Sequence, residues 1–270
     1  MLYGVFRVLR KQEEYRAILV MWETVTQNKS HIAEDLGIPR GTVKDCIKRY
    51  GSVENFDKYL DERKTLGLDN PVEVATQDPI WRKAYAYLLG TYLGDGCIDL
   101  MTNKRTYRMR ITQDKRYTGL IQDCIDAINI VLPMNKIGLA QKQGCVDIVV
   151  YSTHLVQIFP QHGVGKKHDR KITFEDWQWT IIDEFPLEVF RGLYHSDGCR
   201  SQNIVNGKNY VRYMFTNKSV DLIELFKYVC DKINVHWTTK KAHYERQSYN
   251  VYVSRREDVA YLDEVVGAKY

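Results

Sequence analysis

The sequence predicts an α+β protein in which a small all-α domain precedes a duplicated domain built from helices and antiparallel sheets. Three observations predict this class. Two apolar segments, "LLGTYLGDGC" and "FRGLYHSDGC", end on the same tripeptide. Each is followed by segments that alternate apolar and polar residues with the period of a β-strand. A polar stretch with two prolines separates this part of the chain from shorter helical patterns near the amino terminus.

The composition is that of an ordinary globular protein. Its 270 residues, 44% hydrophobic and 27% charged, are enough for more than one domain with a core. No apolar run approaches the roughly 18 residues of a membrane span, so we expect no membrane partner. The six cysteines are scattered without metal-like spacing, which indicates reduced thiols in a cytoplasmic protein. A net charge of +5 is compatible with nucleic acid without requiring it.

The larger part of the chain is an internal repeat. Asp95 and Asp197 lie 102 positions apart, and Ser152 and Ser254, near the ends of the two copies, lie the same distance apart. The same interval between equivalent residues at the start and at the end of the two copies is typical of a duplicated domain. The expected organisation is a helical domain at 1–60, a linker at 61–79, and two half-domains at 80–175 and 176–270.

Each half is predicted to run helix, strand pair, helix, strand pair, helix. In the first half the expected strands are 97–102, 106–113, 137–142 and 146–151, and the later helices lie near 117–131 and 153–160. Alternation sends Met109 and Ile111 to one sheet face and Arg108 and Arg110 to the other. Helices on the apolar face would leave an arginine-bearing face open to a polyanion. The alternative is an ordinary solvated face.

Small residues in the two apolar segments predict that these helices touch. Gly90 and Gly94 are four residues apart, as are Gly192 and Ser196, so each pair lies on one helical face. Helices that meet through such faces bring their backbones close together, and their final aspartates would then lie side by side. Paired carboxylates are tolerated where divalent cations bind, and oxygen ligands with open positions suit Mg²⁺. For a single copy, an Asp-Gly is also a common helix stop.

These residues carry a family resemblance. "LLGTYLGDG" and "FRGLYHSDG" resemble the two signature helices of the LAGLIDADG homing endonucleases, in the single-chain form that carries both motifs. The resemblance covers about 85–270. It implies a monomer with an internal pseudo-dimer, in which two αββαββα halves are related by a pseudo-twofold axis. It also implies two saddle-like sheets, with helices on one face, that lie over double-stranded DNA.

The resemblance further implies the catalytic centre. Asp95 and Asp197 would be the catalytic pair that binds Mg²⁺ or Mn²⁺, and the carbonyls of Gly94 and Ser196 would contribute to the metal site. The sixth motif position departs from the family, because Leu93 and His195 stand where an acidic residue is usual. That position is not the metal ligand, and His195 is expected to be a packed helix residue.

The family also places a basic residue near the cleavage centre. The segment "GVGKKHDRKITFEDW" supplies Lys171 as the expected catalytic lysine, with Lys167 as the alternative. No residue stands 102 positions after Lys171, so Lys269 or Lys241 is expected to substitute in the second half. A lysine at this place would orient the attacking water or stabilise charge in the transition state.

The segment "HIAEDLGIPRGTVKDCIKRYGS" resembles a helix-turn-helix. Ala33, Gly37 and Val43 have the spacing A-x3-G-x5-V. This spacing gives a small residue where the two helices cross, a glycine in the turn, and an apolar residue that packs the second helix against the first. Helical hairpins that bind protein show this spacing too. In the DNA-binding interpretation, the second helix enters the major groove. The residues expected to contact DNA there are Arg40, Thr42, Lys44 and Lys48.

The sequence therefore predicts a site-specific, Mg²⁺-dependent DNA endonuclease of a mobile element such as an intron. Further DNA contacts are expected from Arg108, Arg110, Lys167, Arg212, Lys241 or Lys240, and Arg255 or Arg256. Two alternatives use the same scaffold: a non-cleaving, sequence-specific DNA-binding regulator and an RNA-splicing maturase.

Overall fold

The computed structural model describes residues 3–65, 78–102, 105–241 and 248–270. The chain forms two compact units, Met1–Pro71 and Val72–Tyr270. No helix within the described segments combines the length and apolarity needed to cross a bilayer.

The amino-terminal unit is entirely helical in its described residues. Its helices are α1 (Tyr3–Thr24), α2 (Lys29–Asp35), α3 (Arg40–Tyr50) and α4 (Val53–Thr65). Ile32, Val43 and Phe56 are buried in its core. The Asn28 side chain caps α2 by accepting from the backbone N–H of Ser30 at 3.0 Å. Gly37 has a φ of +63° in the turn between α2 and α3, a conformation that favours glycine.

The predicted linker begins later than expected. Helix α4 continues to Thr65, because the charged residues at 61–65 extend a helix as readily as they would form a polar linker. At the other end, the Asp78 side chain accepts from the N–H of Ile80 at 2.9 Å, and Pro79 occupies the first turn of the next helix. The remainder of the predicted linker, 66–77, lies outside the described residues.

The larger unit contains two halves that share one order of elements, apart from one additional helix at the start of the second half, which confirms the α+β class. The first half contains α5 (Pro79–Asp95), β1 (Gly96–Leu100), β2 (Tyr107–Asp114), α6 (Thr118–Val131), β3 (Ile137–Gln141), β4 (Cys145–Ser152) and α7 (Leu155–Ile158). The second half contains α8 (Asp176–Glu184), α9 (Pro186–Asp197), β5 (Gly198–Val205), β6 (Lys208–Asn217), α10 (Val220–Lys232), β7 (Thr238–Lys241), β8 (Tyr249–Val253) and α11 (Arg256–Val265). The antiparallel sheets have the equivalent orders β1-β2-β4-β3 and β5-β6-β8-β7.

Strand alternation places side chains as predicted. Met109 and Ile111 are fully buried in the core, while Arg108 and Arg110 retain partial exposure on the opposite face. The second sheet repeats this arrangement with Tyr213 and Phe215 in the core. Helix α7 is shorter than the expected 153–160, because the proline at 160 disfavours helical geometry in the residue before it.

The helices α5 and α9 cross with their backbones in contact. A Cβ added to Gly192 would stand 2.2 Å from the carbonyl oxygen of Tyr87, and one added to Gly90 would stand 2.8 Å from the amide nitrogen of Leu193. Only glycine leaves room for this approach. The predicted contact through small residues is therefore present, and it brings the carboxyl ends of α5 and α9 together.

Candidate active site

Two aspartates meet where α5 and α9 end. Asp95 and Asp197 are the last residues of these helices, and a glycine begins the following strand in each half. Asp197 Oδ2 lies 3.1 Å from the point where a Cβ on Gly94 would stand, and Ser196 packs against the same glycine. The carboxylate of one half thus abuts the helix end of the other half, as the repeat predicted.

Each carboxylate is held by an amide from the sheet of its own half. Gln113 Nε2 donates to Asp95 Oδ2 at 3.1 Å, and Asn217 Nδ2 donates to Asp197 Oδ2 at 2.8 Å. Neither amide was among the residues predicted from the sequence. The signal was present, because "RMRITQD" and "RYMFTNK" carry an amide residue at the same place in both copies.

One lysine from each half binds a carbonyl at the helix ends. Lys167 Nζ donates to the carbonyl oxygens of Tyr92 and Gly94, the latter at 3.0 Å. Lys269 Nζ donates to the carbonyl oxygen of Ser196 at 2.9 Å. These two lysines are 102 positions apart, so they are equivalent in the repeat.

The alternative candidate, Lys167, lies at the helix ends, and the first choice, Lys171, does not contact them. Lys171 is exposed, whereas a single 3₁₀ turn, Lys167–Asp169, places the alternative candidate Lys167 at the helix ends. In the second half, Lys269 takes the equivalent place. Lys241 lies in β7 opposite Tyr249, so it is part of the sheet.

Burial and like charge dominate the electrostatics of this cluster. Burial, followed by the nearby Asp197 carboxylate, raises the pKa of Asp95 to about 6. Burial also raises the pKa of Asp197. The same loss of water lowers the pKa of Lys167 to about 8, and it lowers the pKa of Lys269. The aspartates therefore resist ionisation in this site, a cost that a bound cation would offset.

The donor set suits a hard divalent cation. Carboxylate and carbonyl oxygens converge at the helix ends, and such ligands favour Mg²⁺, Mn²⁺ or Ca²⁺ over softer metals. Within the described ranges, no group of three or more His, Cys, Asp or Glu residues could hold an ion. An ion bound by Asp95 and Asp197 would need further ligands from water or from a phosphate, as Mg²⁺ commonly has.

A basic cavity of about 570 Å³ opens beside this cluster. It is lined by Leu93, Gly94, Lys166, Lys167, His168, Asp197, Thr216, Asn217, Lys218, Leu222 and Ser248. Lysines and a histidine around a carboxylate form an environment that accepts an anion next to a metal site. The cavity therefore has the charge expected of a phosphate pocket.

The sixth motif positions lie in the helix interface. Leu93 and His195 are almost fully buried, and His195 Nδ1 lies 3.1 Å from the hydroxyl oxygen of Tyr87 on α5. Burial lowers the pKa of His195 to about 3, so this histidine is neutral. The packing interpretation of His195 agrees with this geometry.

The other predicted DNA contacts are distributed over three places. Arg108, Arg110 and Arg212 lie on the open sheet faces, at strand positions that alternate with the core. Lys241 pairs in register with Tyr249, and its neighbour Lys240, opposite Asn250, lies on the open face. Arg255 is exposed at the start of α11, outside the sheet. In the amino-terminal unit, Arg40, Lys44 and Lys48 are exposed on α3, and Thr42 is half-buried.

Fold and site together define a class: a duplicated α+β protein in which two signature helices cross and end on a pair of carboxylates. Residues 184–267 match the family model described as "LAGLIDADG-like domain". The second half is therefore a LAGLIDADG-like domain, which confirms the resemblance predicted from the motifs. The first half repeats its strand order and its signature helix. A search of curated proteins finds no match to the chain.

Several solved structures are similar to this chain. A structure of mesophilic variants of the homing endonuclease I-DmoI is 20% identical in sequence to this chain. The match covers 69% of this chain and 96% of that chain, with a TM-score of 0.47. A complex of I-DmoI with DNA and Mn is 20% identical over 70% and 99%, with a TM-score of 0.47. The N-terminal LAGLIDADG domain of DUF199/WhiA is 13% identical over 73% and 90%, with a TM-score of 0.44.

Proposed function

We propose that this protein is a site-specific endonuclease that hydrolyses phosphodiester bonds of double-stranded DNA with a divalent metal ion, Mg²⁺ or Mn²⁺. One observation carries the proposal. Asp95 and Asp197 meet at the crossing of two equivalent helices, and each half adds a lysine to the same helix ends. Paired carboxylates with two half-buried ammonium groups suit the stabilisation of charge at a phosphodiester.

The residues divide the chemistry among them. Asp95 and Asp197 would hold the metal, with the carbonyls of Gly94 and Ser196 beside them. When bound, a divalent ion supplies positive charge at the attacking and leaving oxygens of the phosphodiester. Gln113 and Asn217 fix the two carboxylates, since each amide binds one oxygen of its aspartate. The carboxylates are thereby oriented before substrate binds.

The lysines act on the phosphate. Lys167 and Lys269 place ammonium groups beside the carboxylates, where negative charge increases in the transition state. Because burial lowers the pKa of Lys167 to about 8, this lysine also exchanges a proton readily with water near neutral pH.

The remaining DNA contacts come from the open sheet faces and from the helical unit. Arg108, Arg110 and Arg212 would contact the duplex from the two sheets of one monomer. Helix α3, in a helix-turn-helix with α2, would bind a neighbouring sequence in the major groove and so aid targeting. A second, weaker contact within one chain raises affinity through its effective concentration.

A cleavage assay tests this proposal. Genomic and phage DNA are incubated with the full chain, with and without Mg²⁺ or Mn²⁺, and with the variants Asp95→Asn and Asp197→Asn. Discrete double-strand cuts that need metal and both aspartates support the endonuclease. Sequence-specific retention of duplex without cuts in either metal identifies a regulator instead, and preferential binding of structured RNA identifies a maturase.

A further inference from the structure

The two open sheet faces share one topology but differ in charge. In the first sheet, Arg108 Nη2 pairs with Asp99 Oδ2 of the neighbouring strand at 2.9 Å. The equivalent cross-strand pair in the second sheet is Arg212 with Ser201, whose Nε and Oγ atoms are 3.4 Å apart. The guanidinium of Arg212 lies instead 4.4 Å from the ring centre of Tyr252. An ion pair in one half is thus replaced by a neutral contact in the other.

A second carboxylate differs in the same way. In the first sheet, Thr112 Oγ1 donates to Asp147 Oδ1 at 2.8 Å, and Asp147 also pairs with Lys142 and Arg110. In the second sheet, Thr216 Oγ1 donates to Asn250 Oδ1 at the same distance. The threonine and its hydrogen bond are retained while the acid becomes an amide. Asp99 and Asp147 of the first open face therefore have neutral counterparts in the second.

This difference changes what each face offers to a duplex. A guanidinium held by a carboxylate is partly neutralised, and the half-exposed Asp99 repels phosphate. The pair fixes the direction of the Arg108 fork, and a fixed fork suits the bidentate contact of arginine with O6 and N7 of guanine. On the second face, Arg212 and Lys240 have no carboxylate opposite them in the described register. Cations that are not neutralised by a carboxylate bind phosphates strongly and independently of sequence.

We propose that the two sheets divide the recognition of DNA between them. The first sheet reads bases, with Asp99 as a specificity-determining residue that directs Arg108 toward guanine, and the second sheet carries most of the affinity for phosphate. This inference rests on the proposed function, because it assumes that the open faces contact duplex DNA. It adds an asymmetry between the half-sites that the duplicated fold alone does not imply.

The repeat supplies a reciprocal experiment. The variants Asp99→Ser and Ser201→Asp exchange the residues of the two halves within the full chain. Asp126→Asn serves as the charge-matched control for the first, since Asp126 is exposed on α6, the helix that covers the opposite face of the first sheet. Circular dichroism melting of each variant verifies that it is folded before binding is compared.

Salt dependence is the first measurement. Binding to a mixed-sequence duplex of roughly 30 base pairs is followed without divalent metal from about 50 to 200 mM salt. We expect Asp99→Ser to steepen the slope of log affinity against log salt by about 0.9, because Arg108 becomes free to bind a phosphate. We expect Ser201→Asp to reduce the slope by a similar amount, and Asp126→Asn to leave it unchanged.

Base preference is the second measurement. Selection from a duplex library with randomised central positions is expected to enrich guanines in one half-site with the unchanged protein. Asp99→Ser should reduce that enrichment about tenfold while it leaves the other half-site as it was. If Asp99→Ser matches Asp126→Asn in both slope and guanine preference while the protein still cuts DNA, this inference alone fails. If the unchanged protein retains no duplex, the proposed function fails with it.

Discussion

At the scale of the residue, Asp95 opposes the stability of the metal-free protein. Its pKa is raised by burial and by Asp197, so the folded state binds a proton more tightly than the unfolded state does. The free energy of unfolding therefore falls as the pH rises from about 4 to about 6. We expect Asp95→Asn to stabilise the metal-free protein by about 1–2 kcal/mol at pH 7.5 and by little at pH 4. Urea denaturation in a chelator at both pH values measures this.

Asp263 provides a control of opposite sign. Its pKa is lowered by hydrogen bonding to Arg200, so it contributes stability above its unfolded pKa that is lost as the pH falls. Asp263→Asn should therefore destabilise the protein at pH 7.5, where Asp95→Asn stabilises it. A loss of stability in both variants at that pH would contradict the account of a strained carboxylate pair.

Lys167 is expected to be required for cleavage, and Lys171 dispensable. Replacement of Lys167 by Met removes an ammonium that binds the Gly94 carbonyl beside the carboxylates. By analogy with the loss of one preformed donor to a transition state, we expect a decrease of about 10²–10³-fold in single-turnover cleavage rate. Lys171→Met is the matched control, because it removes an exposed lysine four residues away. Equal losses in the two variants would show that the position at the helix ends is irrelevant.

The aspartates were predictable from the sequence and the choice of lysine was not. Asp95 and Asp197 belong to local motifs whose helical spacing fixes where they end. The position of Lys167 depends on how a loop folds back over α5. A single 3₁₀ turn in that loop determines which lysine of the segment lies at the helix end. The interval of 102 positions between Lys167 and Lys269 was nonetheless available in the sequence, and it identifies the two lysines that lie at the helix ends.

At the scale of the element, the crossing of α5 and α9 is the most tightly constrained contact. Gly192→Ala would place a Cβ 2.2 Å from the Tyr87 carbonyl oxygen, and backbone on both sides leaves little room to relax. We expect the free energy of unfolding to fall by about 2–4 kcal/mol, which would appear as a decrease of several degrees in the melting temperature. Gly138→Ala is the control, since its nearest neighbour would be 3.9 Å away. A Gly192→Ala melting curve that matches the control would disprove direct backbone contact.

The periodicity of apolar residues predicted the strands and most of the helices. The exception is helix α8, which lies at the start of the second half-domain. The strand pattern identified the buried and open faces because side chains alternate strictly. Helix α8 was not anticipated, although Glu175 and Gln178 form a capping box at its start. Gln178 is buried and donates to the Tyr85 hydroxyl at 2.6 Å, so α8 is tied to the first signature helix. Such a tertiary contact leaves no trace in a local pattern.

At the scale of the whole molecule, the two units were separable in the sequence but their boundary was not. Prolines and glycine marked the change in composition, whereas the end of α4 depends on helix propensity within a charged stretch. The role of the amino-terminal unit is a proposal that its exposed cations make testable. Arg40, Lys44 and Lys48 lie on α3, whose buried face includes Val43 and Ile47.

We expect the triple variant Arg40→Ala, Lys44→Ala, Lys48→Ala to weaken binding of the full target without changing the rate of cutting in the bound complex. Loss of up to three phosphate contacts would reduce the slope of log affinity against log salt by as much as about 2.7. Because the three side chains are exposed, the core around Val43 stays intact and the melting curve should not shift.

Lys58→Ala, on exposed α4 surface, controls for general loss of charge. A triple variant that binds as tightly as this control would assign α3 to a protein partner, since a helical hairpin serves that role equally well. A slower cut at saturating protein would instead indicate that α3 acts on the cleavage centre, because binding alone cannot limit the reaction once every target is occupied.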